Sequence, residues 1–160
     1  MAENEKLVLT NAGKLEYFNS CLQKLMCEKI LNNEEKEYIL RCALIFIKKF
    51  EADTKKNSYF ELAYYIILKY SLTYGDYEPL YDFSFNYGFY PIVDYIKKEH
   101  PIEKMAIEDI VKEGIIDNYK ENDKTYTFQQ KNNMVKIRND KSNNICYIAP
   151  TSFGKCSIVI

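Results

Sequence analysis

Apolar side chains recur at spacings of three and four through LEYFNSCLQKLMCEKI: Leu15, Phe18, Leu22, Leu25 and Met26 form one stripe of an amphipathic helix. Asn32 and Asn33 punctuate, and NNEEKEYILRCALIFIKKF then restarts the period with acids in its first turn, where the positive end of a helix dipole favours them. Its stripe is Ile39, Cys42, Ala43, Phe46 and Phe50, widened by Ile45 and Ile47. Ser58 to Leu72 is apolar nearly all round, which predicts a helix covered by neighbours in the middle of a bundle. Ser58 with Glu61 three residues on has the spacing of a capping box.

After Gly75, DYEPLYDFSFNYGF predicts a shorter aromatic helix that ends near Gly88 in a left-handed cap. Pro91 opens PIVDYIKKEH, His100-Pro101 breaks it, and IEKMAIEDIVKEGII makes one more amphipathic helix through Met105, Ile107, Ile110 and Val111. Short loops between these helices predict an antiparallel bundle or a stack of helical hairpins, without a sequence repeat. Residues 117–127, DNYKENDKTYT, are charged and poor in apolar side chains, the composition of a linker. Beyond it the grammar changes. TFQQKNNMVKIRN predicts a helix with a stripe of Phe128, Met134, Val135 and Ile137, RNDKSNN a turn, and Ile145–Ala149, ICYIA, a strand covered on both faces. The expected organisation is a mainly α chain: a helical accessory domain over 1–116, a linker over 117–127, and a different domain starting at 128–160.

With 47% hydrophobic and 28% charged residues the composition is that of a globular protein, and a net charge of −1 supplies no global field for nucleic acid. The chain has 15 Tyr and no Trp; with its many Lys, Asn and Ile this skew points to codon bias, and no basic interleaving turns the tyrosines into a base-stacking surface. Five cysteines at 21, 27, 42, 146 and 156 form no CxxC pair, and His100 has no cysteine near it, so no metal site is expected. An odd cysteine count without a signal-peptide pattern argues for reduced, buried thiols and a cytoplasmic location, and no stretch reaches transmembrane length. No catalytic dyad or nucleophile–base pair is evident.

The strand ICYIA runs into Ala149-Pro150-Thr151-Ser152-Phe153-Gly154-Lys155-Cys156. In a phosphate loop, G-x-x-x-x-G-K-[ST], small residues let backbone N–H groups curl around a β-phosphate, the lysine reaches the β- and γ-phosphates, and the hydroxyl ligates Mg²⁺. Strand, loop, Gly154 and Lys155 are in place; Ala149 stands where the generic pattern has glycine. A-P-T-S-F-G-K closely resembles motif I of superfamily 2 helicases, the DEAD/DEAH-box group. The resemblance implies that the chain continues into the first helix–strand–phosphate-loop element of an α/β recombinase-like motor domain. It also implies an upstream glutamine that reads adenine: Gln130 lies nineteen residues before Ala149, with Met134 at a buried helical position, and Gln129 is the neighbouring candidate. The spacing is slightly long, with the excess in the Asn139–Asn144 turn. A loop of this type behind a helical extension also looks like the large helicases of bacterial antiphage defence, such as the Hachiman type.

Two departures limit what the resemblance implies. Cys156 occupies the Ser/Thr position, and a soft thiol is a poor ligand for hard Mg²⁺. Ser157 is one residue out of phase. The family's acidic pair, arginine finger, nucleic-acid motifs and second lobe all lie downstream of motif I, and the 160 residues contain none of them. ATP with Mg²⁺ and nucleic acid are therefore expected ligands of an intact parent. The chain by itself is expected neither to hydrolyse ATP nor to unwind, with residues 125–160 poorly ordered or artificially packed. The alternative is a non-enzymatic helical interaction module, with a protein partner and a vestigial loop.

Overall fold

The structure is a computed structural model that describes residues 12–100 and 107–141. It is mainly helical: the described residues hold seven helices and one two-stranded sheet. The chain divides into two compact units, Met1–Leu80 and Tyr81–Ile160. No described helix is long and apolar enough to cross a membrane.

Three helices make the first unit: α1 (Ala12–Met26), α2 (Asn33–Ala52) and α3 (Asn57–Tyr74). Phe18, Cys21 and Leu25 of α1 are buried, as are Ile39, Cys42, Ala43 and Phe46 of α2. Leu15 and Met26, expected in the α1 stripe, lie at its exposed edge. Phe46 joins the layers, edge-on to Phe18 at 5.6 Å and stacked on Tyr59 of α3 at 5.8 Å. Asn32 caps α2 in a capping box: its side chain accepts the Glu35 N–H at 2.8 Å while Glu35 accepts the Asn32 N–H at 3.0 Å. The same carboxylate pairs with Lys24, tying α1 to the start of α2.

Two expectations for α3 are corrected. Its N-cap falls two residues before the expected Ser58, at Lys56 with no side-chain cap bond, so Ser58 lies inside the first turn and does not cap. The helix is also not covered all round. Ala63, Ile66, Ile67, Tyr70 and Ser71 are buried, whereas Tyr65 and Leu72 are each 59% exposed. Among the described elements of this unit α1 and α2 pack against it, and Tyr65 and Leu72 lie on the side away from its buried residues. Gly75 then closes α3 at φ +70.

Helix α4 (Glu78–Asn86), in which the division between units falls, leads through Gly88 (φ +73) into α5 (Tyr90–Glu99), where Pro91 sits in the first turn as expected. Helix α6 (Ile107–Asp117) turns outward the two stripe residues whose side chains are described, while the side chains of Met105 and Ile107 lie outside the described residues. Ile110 and Val111 are about three-fifths exposed, and the inward face is Lys112, Glu113 and Ile116. Lys112 pairs with Asp82 at 3.0 Å beneath the Tyr81 and Phe85 rings, and Glu113 pairs with Lys97 at 2.7 Å. A hairpin of β1 (Lys120–Glu121) and β2 (Lys124–Thr125) follows, then α7 (Phe128–Asn139). The charged segment 117–127 is thus held by charges and by rings, with Tyr119 against Tyr90 at 4.3 Å and Tyr126 buried. Asn122 and Asp123 take φ +50 and +60, the two positive values that a tight two-residue hairpin turn requires.

Candidate functional site

Ala149, Pro150, Thr151, Ser152, Phe153, Gly154, Lys155 and Cys156, expected to form a phosphate loop, and the expected strand before them lie outside the described residues. What is described is the helix that precedes them, α7, and the elements that hold it.

Thr127 begins α7 in an extended conformation, and its hydroxyl accepts the Gln130 N–H at 3.2 Å. Gln130 replies through its amide oxygen, which accepts the Thr127 N–H at 2.9 Å. This reciprocal cap satisfies two of the donors that a helix start leaves unpaired. Gln129 is exposed beside it. The Phe128 N–H donates to the Gly88 carbonyl at 3.1 Å, which stitches the start of α7 to the turn after α4. A Cβ at residue 88 would stand 2.6 Å from the Phe128 Cβ, so only glycine lets the two backbones approach this closely.

Along α7 one face is turned inward. Met134, 2% exposed, packs with Tyr126 and Ile137 in a small apolar cluster. Lys131 and Arg138 flank Met134, and both reach Glu121 of the hairpin, at 3.0 and 2.8 Å, each on its own carboxylate oxygen. Hydrogen bonding to these two cations holds the Glu121 carboxyl below its ordinary value.

The hairpin is held from the other side by Asp94 of α5. Its carboxylate accepts the Thr125 hydroxyl at 3.3 Å and lies 3.7 Å from the Lys120 ammonium, and those two residues are partners across the ladder. Partial burial pushes the Asp94 pKa up, but bonding to Lys98 and the charges of Lys98 and Lys120 outweigh it and hold the carboxyl low. Asp94, Lys97, Glu113, Ile116, Asp117 and Lys120 line a cleft of about 290 Å³. Every charge on that cleft is paired: Asp94 with Lys98 and Lys120, Lys97 with Glu113, Asp117 with Lys120. Such matched pairs fix elements in place and leave no group poised for acid–base work.

Two of the three described cysteines are shielded. Cys21 and Cys42 are buried, and burial pushes the Cys42 thiol up to about 11, so it carries almost no thiolate near neutrality. Cys27 is exposed, contrary to the expectation of buried thiols. Among the described residues no group of three or more His, Cys, Asp or Glu is placed to hold a metal ion.

No family model matches this chain, and no curated protein or solved structure matches it either. The hairpin and its clamp were not expected from the sequence, although it carries two signals of them: the Asn122-Asp123 turn pair, and the T-x-x-Q spacing of Thr127 and Gln130.

Proposed function

We propose that this chain carries the nucleotide-binding entry of a superfamily 2, DEAD/DEAH-box-type helicase behind a helical accessory region. The observation that carries the reading is the loop Ala149–Cys156 with its Gly154-Lys155 pair after an apolar strand-type segment. Helix α7 supports it by placing Gln129 and Gln130 in a first helical turn upstream of that loop. Lys155 and the backbone of the loop would bind the phosphates of ATP, and Gln130 would read the adenine edge, with Gln129 as the neighbouring candidate. The Mg²⁺ site does not fit as well, because Cys156 offers sulfur where the metal needs oxygen. ATP hydrolysis and strand separation would also need the acidic motif and second lobe of such helicases.

Calorimetric titration with ATP tests the binding step. Wild-type chain is expected to bind ATP weakly, Lys155→Ala to lose that binding, and Cys156→Ser to tighten it only when Mg²⁺ is present. Equal affinity for wild type and Lys155→Ala would sink the reading. The coding sequence after Ile160 is a second check: an open frame with a D-E-x-[DH] box is expected, and an immediate stop codon favours the alternative. That alternative, a non-enzymatic helical interaction module, draws on the exposed apolar side chains Ile110, Val111 and Ile115 of α6.

A further inference from the structure

Helix α7 has little apolar grip on its surroundings. Of its twelve residues only Met134 is buried. Beside the Met134 cluster and a Tyr119–Phe128 ring contact at 6.1 Å, polar contacts hold it near both ends: the Gly88 carbonyl at Phe128, and Glu121 at Lys131 and Arg138. Lys131 and Arg138 are seven residues apart, so one carboxylate bridges a span of about 10 Å along the helix axis. A single anion bound to two points on one face restrains both rotation about the axis and sliding along it. A one-residue slip would turn α7 by about 100° and shift it about 1.5 Å, which breaks both pairs at once.

The hairpin that carries Glu121 is itself braced. Asp94 holds its first rung, Lys120 with Thr125, and Glu121 is on the second rung, paired with Lys124. The side chains of Lys131 and Glu121 are only 21% and 28% exposed, so this pair is less screened than an ordinary surface pair. We propose that the hairpin 120–125 is a positioning bracket for the base-recognition end of α7, and that Glu121 is its positioning residue. The inference rests on the nucleotide-binding reading above. It adds that the adenine preference of the chain is set from outside the loop, through the Asp94–hairpin–Glu121 connection.

The test is calorimetry of the full chain with ATP, GTP and inorganic tripolyphosphate, on wild type and Glu121→Gln, with helicity followed by circular dichroism. Glu121→Gln keeps the side-chain shape and removes the charge. The ATP-over-GTP preference is expected to fall about tenfold, the discrimination one well-aligned base contact supplies, while tripolyphosphate affinity stays unchanged. Lys131→Gln and Arg138→Gln each keep one pair and should give smaller losses; they carry the test if Glu121→Gln fails to fold. An unchanged preference in all three variants overturns the bracket and leaves the nucleotide reading standing. A parallel loss of ATP, GTP and tripolyphosphate binding also overturns it, because it marks a merely structural role. Absence of Lys155-dependent ATP binding in wild type overturns both.

Discussion

Gly88 meets two constraints that no other residue type satisfies together. Its φ of +73 costs an L-residue about 1–2 kcal/mol, and an added Cβ would collide with Phe128. Gly75 shares the first constraint, at φ +70, but a Cβ added there would meet nothing within 4 Å. Urea denaturation should therefore separate them: Gly88→Ala is expected to cost roughly 2–4 kcal/mol and Gly75→Ala roughly 1–2 kcal/mol. Equal costs would show that the Phe128 contact is soft. Ser71 makes the opposite case, since its hydroxyl is fully buried on α3 with no hydrogen-bond partner. Replacing it with alanine should be neutral or stabilising by up to about 1 kcal/mol, because the desolvation cost of the hydroxyl disappears. A clear loss of stability would reveal a partner.

Element by element, α7 shows how one side chain can be claimed by two roles. Gln130 closes the cap of its own helix, so its removal should cost about 1 kcal/mol in the same denaturation assay, whereas the exposed Gln129 should tolerate alanine with little change. A stability-neutral Gln130→Ala would mean the cap contributes nothing. The Thr127–Gln130 and Asn32–Glu35 caps share the spacing of the expected Ser58–Glu61 pair, yet only that expected pair does not form. The reason is local. The turn before α3 bonds Lys56 N–H to the Asp53 carbonyl and starts the helix at Asn57, which puts Ser58 past the cap position. Helix α6 failed differently. Two of its four stripe residues, Ile110 and Val111, face outward while Lys112 and Glu113 find Asp82 and Lys97.

At the scale of the whole molecule, acidic groups with depressed pKa values stand in both units: Glu28 and Glu35 in the first, Asp94 and Glu121 in the second. A carboxyl whose folded pKa lies below its unfolded value contributes stability above the unfolded value and loses it as pH falls through the folded one. With ordinary values of 3.8 for Asp94 and 4.5 for Glu121, thermal stability should be level from neutrality to about pH 5 and decline below that. Asp94→Asn and Glu121→Gln should each flatten the decline, measured as the melting temperature against pH. An acid limb identical to that of wild type would remove both pairs from the account.

The sequence by itself determined where helices run and stop, since apolar periodicity, Pro91, Gly75 and Gly88 act over a turn or less of backbone. It also carries the Gly154-Lys155 pattern on which the proposed phosphate loop rests, because that pattern lies in consecutive residues. Only the tertiary structure decided which faces are covered, and that the charged stretch 117–127 contains a hairpin, Lys120 to Thr125, clamped at both sides. It also showed that Gln130 has a capping bond to keep. The physical reason is distance along the chain. Phe128 meets Gly88 forty residues away, and Asp94 finds Thr125 across thirty-one. Neither partner leaves a periodic trace near the other.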